Sequence, residues 1–141
     1  MQITEIYKSL QGESTYAGLA CVFVRLTGCN LRCTWCDTAY AFHGGNKMAV
    51  SDILRRVDEL AGRDAAQAEG LASAQFAKVP LVELTGGEPL LQQEPLIALA
   101  AAIFADGTAR QVQVETSGTI TIKRPINNGS TLSITVPRNL P

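Results

Sequence analysis

The chain is short of the residues that carry most side-chain chemistry. Of its 141 residues one is histidine, one is tryptophan and four are cysteine, and aromatics make up 6%. No Ser-His-Asp or paired-acid signature is present. A net charge of −1 offers no electrostatic footprint for nucleic acid or an anionic membrane. No apolar run reaches the roughly 18 residues that a membrane-spanning helix needs. Met1-Gln2-Ile3-Thr4-Glu5 lacks a basic segment followed by an apolar one, so no signal peptide is expected. The expectation is one domain over residues 1–141 in the reducing cytoplasm, with no membrane and no direct nucleic-acid partner.

What is present is concentrated. Cys29, Cys33 and Cys36 fall within eight residues, as C-x3-C-x2-C. Iron–sulfur clusters usually take four cysteine ligands. Three thiolates therefore leave one iron of a four-iron cluster with an open position, which marks a catalytic metal rather than a structural one. A Cys3His zinc site is the alternative metal reading, with His43 seven residues beyond Cys36. A disulfide framework fits poorly with three thiols crowded into one loop, and inert buried thiols are the remaining reading.

Strand and helix signals alternate along the chain. Residues 20–26 are β-rich between Gly18 and Gly28. Ser51 is placed to cap a helix running to about Leu60, with a stripe of Ile53, Leu54, Val57, Leu60 and Ala61 and a stop at Gly62. Residues 63–78 are Ala-, Gln- and Ser-rich and weakly patterned, a helix tail or a mobile connection. Residues 79–85 predict a second strand, 89–105 an Ala-rich helix, and 111–116 a third strand. Such alternation predicts βαβ units and a parallel sheet.

Each strand has two unlike faces. Val22, Val24 and Leu26 oppose Cys21, Phe23 and Arg25; Val82 and Leu84 oppose Glu83 and Thr85; Val112 and Val114 oppose Gln113 and Glu115. A doubly wound sheet would be apolar on both faces. In an α/β barrel one face meets the helices and the other lines the lumen, with function at the C-terminal strand ends. A full barrel needs about 250 residues, so the prediction is an open, partial (β/α) barrel of about four βα units.

The loop Gly28-Cys29-Asn30-Leu31-Arg32-Cys33-Thr34-Trp35-Cys36-Asp37-Thr38 resembles that of radical S-adenosylmethionine (SAM) enzymes, and Thr85-Gly86-Gly87-Glu88-Pro89 is similar to the turn that holds the SAM amino group. Ser9-Leu10-Gln11-Gly12-Glu13, Cys36-Asp37-Thr38, Tyr40 and Glu115-Thr116-Ser117-Gly118-Thr119 narrow the resemblance to the 7-carboxy-7-deazaguanine synthases, over residues 3–119. That resemblance implies a Mg2+-dependent lyase that contracts the ring of 6-carboxy-5,6,7,8-tetrahydropterin to 7-carboxy-7-deazaguanine with loss of ammonia, on the route to queuosine and other deazapurines. It implies Cys29, Cys33 and Cys36 as ligands of a 4Fe-4S cluster. Trp35, Cys36, Asp37, Gly87, Glu88 and Ser117 would contact SAM, and Thr38 would bind Mg2+. Leu10, Gln11, Gly12, Glu13, Arg25 and Thr85 would line the pterin site. It also implies a homodimer and an electron donor such as flavodoxin.

Arg25 on a buried strand face calls for a partner. A substrate carboxylate would pair with it bidentately, and Glu13, Glu83 or Glu115 are the internal alternatives. Family members run on past the Glu-Thr-Ser-Gly-Thr segment, so residues 119–141 are expected to be a divergent, truncated tail. Asn127-Asn128-Gly129 there predicts a hairpin turn. The competing functions are another radical SAM enzyme, such as a glycyl-radical activase, and an inactive metal-binding fragment.

Overall fold

Two flanking glycines and a run centred on Val22-Phe23-Val24 decide the first central strand: Ala20–Leu26 forms β2, bounded as the sequence predicts. In the computed structural model, residues 1–62, 79–106, 109, 111–122 and 132–135 are described. The elements are β1 (Gln2–Leu10), β2 (Ala20–Leu26), β3 (Asn46–Lys47), α1 (Val50–Ala61), β4 (Leu81–Gly86), α2 (Gln93–Asp106), β5 (Gln111–Glu115) and β6 (Leu132–Thr135). The six strands make one sheet in the order β3-β1-β2-β4-β5-β6.

From β2 through β6 the pairing is parallel, with α1 in the first crossover and α2 in the second. β1 was not predicted, and it changes the sheet: it runs antiparallel to β2 and to β3. The result is a mixed α/β sheet rather than a purely parallel one. Four parallel strands are present, but only two of the expected four βα units have a helix among the described residues.

Both helices pack on the aliphatic face. Val22, Val24, Leu26, Val82, Leu84, Val112 and Val114 meet Ile53, Val57 and Ala61 of α1 and Leu96, Leu99, Ala100 and Ile103 of α2 in one core. Each fully buried aliphatic side chain there contributes about 1.5–3 kcal/mol. Leu54 and Leu60 flank that core, as the stripe on α1 predicts. The start of α1 differs from expectation. Ala49, not Ser51, is the N-cap, with no side-chain cap, and Asp52 in the first turn supplies the negative charge that favours a helix N-terminus. At the other end Gly62 adopts φ 85° and its N–H returns to the carbonyls of Asp58 and Glu59, the expected glycine stop.

The predicted 89–105 helix is two pieces. Pro89–Gln92 is a 3-10 turn and α2 follows it. Gln92 at the junction stitches three elements together. Its Oε1 accepts from the Gln2 N–H at 2.7 Å, and its Nε2 donates to the Gln2 and Thr27 carbonyls at 3.0 Å each. This amide secures the start of β1 to the end of β2, next to the register shift between Ile3 and Glu5.

The connection at residues 63–78 and the turn at 127–129 lie outside the described residues. Leu132–Thr135 pairs in parallel with β5, and residues 119–122 are not a strand, so the two Thr/Ile-rich runs are not seen paired as a hairpin. No helix among the described residues is long and apolar enough to cross a membrane.

Candidate active site

The C-terminal ends of β2 and β4 come together around glycine. β2 runs into Gly28 (φ 101°) and the cysteine loop; β4 runs into Gly86 (φ 145°) and Gly87. The Glu88 N–H donates to the Gly28 carbonyl at 2.8 Å and the Gly87 N–H to the Leu26 carbonyl at 3.2 Å. A Cβ on Gly87 would overlap the Gly28 carbonyl oxygen and lie 2.8 Å from Cys29 Cβ. A Cβ on Gly86 would strike the Leu26 carbonyl oxygen. Both glycines are thus required by close backbone approach, and that approach seats the Gly-Gly-Glu turn directly against the first cysteine.

Cys29, Cys33 and Cys36 are half-buried free thiols. The Cys36 N–H donates to the Cys33 carbonyl at 3.2 Å, and Leu31 N–H donates to Cys29 Sγ at 3.4 Å. Arg32 braces the loop, donating to the Cys29 and Leu31 carbonyls and lying 4.3 Å over the Phe42 ring. Among the described residues no three His, Cys, Asp or Glu side chains are gathered as a metal cage, so the three thiols share a loop without closing on one point. His43 instead meets Phe42 edge-on at 6.5 Å. The fourth cysteine, Cys21, is fully buried under the polar face. Burial, and then Glu83, push its thiol up to about 12, which makes it an inert core residue.

Two residues past the second cysteine the loop turns outward. Trp35 is 59% exposed and so is not a core tryptophan. Asp37 is exposed, and its carboxylate accepts the Thr38 hydroxyl at 2.6 Å. Thr38 precedes the 3-10 turn Ala39–Phe42 and accepts the Ala41 N–H at 2.9 Å through its carbonyl.

Glu88, expected to contact SAM, is held within the turn by hydrogen bonds of its own. It is fully buried. Its carboxylate accepts from Leu90 N–H (2.9 Å), from the Thr116 hydroxyl (2.8 and 2.9 Å to its two oxygens), from Ser117 N–H (2.9 Å) and from the Ser117 hydroxyl (2.5 Å). Those donors fill its acceptor sites, leaving it to brace the turn. The bracing continues across strand ends. Ser117 Oγ meets Thr119 Oγ1 at 2.8 Å, and Asn30 Nδ2 donates to Thr119 Oγ1 at 3.0 Å. Glu88, Ser117, Thr119 and Asn30 so tie β4 and β5 to the cysteine loop. Sequence reasoning missed Asn30, Thr116 and Thr119, although the last two stand inside the Glu-Thr-Ser-Gly-Thr segment.

Below this rim the polar face of the sheet carries a second group. Arg25 does not pair with Glu13, Glu83 or Glu115. Its Nε donates to Glu5 Oε1 at 2.8 Å, and its Nη2 to Tyr7 Oη at 3.0 Å. Tyr40 also donates to Glu5 Oε1, at 2.8 Å, and the guanidinium lies 6.0 and 5.9 Å from the Tyr7 and Tyr40 rings. Glu5 faces Arg25 across the antiparallel β1–β2 ladder, a partner that only β1 could supply. Thr85, beside Arg25 in the parallel register, donates to Glu115 Oε2 at 3.1 Å.

Gln11 is buried, and its Nε2 donates to Glu83 Oε2 while its Oε1 accepts the Glu13 N–H at 3.0 Å. Gly12 is exposed with open space around it, and Leu10, the last residue of β1, is 65% exposed. The charge of Glu115, then burial, raises the Glu13 carboxyl above its ordinary range. Burial, then hydrogen bonding to and repulsion by Glu115, push Glu83 up to about 9. Glu83 and Glu115 were not predicted as site residues, although each breaks the aliphatic pattern of its strand on the polar face.

The family model described as the 4Fe-4S single cluster domain matches residues 11–128, and the chain belongs to that family. It is 48% identical over 128 residues to the 7-carboxy-7-deazaguanine synthase of Koribacter versatilis, covering 91% of this chain and 47% of that protein. With the 7-carboxy-7-deazaguanine synthase of Thermoplasma acidophilum it shares 41% identity over 123 residues, 87% of this chain and 49% of that protein. The crystal structure of QueE from Escherichia coli superposes with a TM-score of 0.62 at 26% identity, covering 96% of this chain and 59% of that one. The chain spans about half the length of the curated relatives it matches.

Proposed function

We propose that this chain acts in the manner of the synthases it is similar to, as a radical SAM, Mg2+-dependent lyase that contracts 6-carboxy-5,6,7,8-tetrahydropterin to 7-carboxy-7-deazaguanine with release of ammonia. The observation that carries the proposal is the shared edge. The cysteine loop, the Gly-Gly-Glu turn and the polar strand face all open at the C-terminal ends of the same parallel strands, where α/β barrels keep their chemistry. Among the described residues the helices lie on one face, with polar side chains on the other, which supports a partial (β/α) barrel rather than a doubly wound sheet.

The donor set fits a 4Fe-4S cluster. Three thiols lie on one loop, none in a disulfide, and a glycine turn is pressed against the first of them. Cys29, Cys33 and Cys36 would hold it. With SAM bound, such a cluster supplies a 5′-deoxyadenosyl radical. The protein's own work is positioning. Gly86 and Gly87 hold the turn close enough to the loop to present backbone to SAM. Glu88 and Ser117 lock that turn, and Trp35 and Asp37 stand outward beside the third cysteine. Thr38 and Asp37 offer the hard oxygen atoms that suit Mg2+.

Arg25, held in a Glu5–Tyr7–Tyr40 frame, presents its remaining N–H groups to a substrate carboxylate. Gln11, Glu13, Thr85 and Leu10 border the same face. A homodimer, an electron donor of the flavodoxin kind and a cytoplasmic setting complete the reading. The test is anaerobic reconstitution with iron and sulfide. About four irons per chain, and 7-carboxy-7-deazaguanine detected by mass spectrometry after addition of SAM, reductant, Mg2+ and the pterin, are the expected results. One zinc per chain and no product would overturn the proposal. 5′-Deoxyadenosine made with no pterin conversion would favour an activase.

A further inference from the structure

Among the described residues Glu83 has no salt-bridge partner. It is 1% exposed at the middle of β4, in the register row Tyr7–Phe23–Glu83–Gln113. Arg25, the cation on the neighbouring strand, is committed to Glu5. The titratable and charged groups that face it are Cys21 and Arg25 from β2, Glu115 from β5 and Glu13 from the loop after β1, with Tyr7 and Tyr16 packed around Cys21, Phe23 and Leu81. Two of those groups are carboxyls, and Cys21 is neutral. A buried carboxylate between two others, with its nearest cation already paired, is far costlier than the neutral acid.

The hydrogen bonds show what a proton there would do. Glu83 Oε2 accepts from Gln11, and Glu115, two residues beyond Gln113 on the neighbouring strand and bonded to Thr85, is the acid beside it on the same face. Two carboxylates cannot hydrogen-bond to each other without a proton between them. Gln11 in turn holds the Glu13 N–H, and Glu115 holds the Thr85 hydroxyl.

We propose that Glu83 is a positioning residue that works as the neutral acid, donating its proton to Glu115 while accepting from Gln11, and so fixes the two sides of the proposed substrate face relative to each other. The inference rests on the reading of this face as the pterin's. Glu83 touches no substrate. It sets where Gln11, Glu13, Thr85 and Glu115 stand, and it limits the pair Glu83–Glu115 to one negative charge. Losing the proton would put two adjacent charges beneath the site and push Glu115 and the Gln11 loop apart. A glutamine at position 83 reproduces the neutral acid, since its amide donates to Glu115 and its carbonyl accepts from Gln11.

The experiment uses the full, anaerobically reconstituted chain and Glu83→Gln. Three quantities are followed from pH 5 to 10: stability to denaturant, the Gln11 side-chain amide signal by NMR, and affinity for 6-carboxytetrahydropterin. The ordinary carboxyl value is 4.5 and the folded value is about 9. Between them the folded state keeps a proton that the unfolded state has released, so the folded-to-unfolded ratio falls as pH rises, by up to about tenfold per unit.

In the wild-type chain that fall, a shift of the Gln11 signal with a midpoint near pH 9 and a more than tenfold loss of pterin affinity above it are expected together. In Glu83→Gln the shift and the affinity loss should vanish, and the stability slope should flatten to what Glu13 leaves. Equal slopes in the two proteins would overturn the proposal. So would flattened stability with an unmoved Gln11 signal, which would make Glu83 a buried acid that positions nothing. If neither protein binds pterin while slope and signal behave as expected, the substrate reading fails and the Glu83–Gln11–Glu115 arrangement stands.

Discussion

Gly87→Val is expected to leave the chain unable to hold iron. The substitution places carbon where the Gly28 carbonyl oxygen and Cys29 Cβ already stand. Neither obstacle is the free end of a flexible side chain, so relief requires the cysteine loop to move away from β4. Overpacking of this kind costs about 1–3 kcal/mol, and more when backbone must shift. The same displacement breaks the Glu88 N–H bond to the Gly28 carbonyl. After reconstitution the variant should retain less than roughly a tenth of the wild-type iron, given that a site misplaced by an ångström loses much of its binding. Gly12→Ala is the informative companion, because nothing lies within 4 Å of a Cβ at Gly12. Its iron content should match the wild type. Equal iron in Gly87→Val and wild type would show that the turn and the cysteine loop are not coupled.

The second large effect belongs to Glu88. Truncation to alanine removes the acceptor shared by Leu90 N–H, the Thr116 hydroxyl and both donors of Ser117. The site is fully buried, so water cannot substitute without opening the strand ends. Each donor left unpaired costs about 1–3 kcal/mol, and such losses within one network do not add. A total near 4 kcal/mol is expected, a large value for one substitution. For a chain of this size that corresponds to a fall in Tm of roughly 12–16 °C. Glu88→Gln should lose about half as much, because its amide keeps one oxygen acceptor but turns an NH2 group toward donors. Thermal denaturation of the three proteins decides it. A Glu88→Ala protein that melts with the wild type but fails to bind SAM would return the side chain to a direct cofactor role.

Much of this architecture was legible because β2, β4 and β5 obey a strict two-residue period. Their aliphatic faces went to the helices and their polar faces to the site, as the alternation requires. The stripe on α1 and the glycine that ends it were legible for the same reason, a clean period and a residue suited to φ 85°. β1 was not legible. Its register shifts between Ile3 and Glu5, which breaks the period, and only Ile3 of its nine residues is buried. Missing β1 had a chemical consequence. Glu5 could not be foreseen as the partner of Arg25, because the pair exists only across the β1–β2 ladder. The inward setting of Glu88 was not legible for another reason. A glutamate after two glycines offers an acceptor, but whether it turns outward or inward depends on Thr116 and Ser117, 28 and 29 residues later. Spacing along a chain does not carry that information.

The central claim is that one strand edge joins a three-thiolate cluster to a pterin-binding face. The most direct measurement is 5′-deoxyadenosine formed per chain under reducing, anaerobic conditions with SAM and Mg2+, with and without 6-carboxy-5,6,7,8-tetrahydropterin. Formation that rises more than tenfold with the pterin, and that disappears in Cys33→Ala, is the predicted result. Formation that is absent in both cases from a protein carrying its full complement of iron, or that ignores the pterin, would contradict the claim.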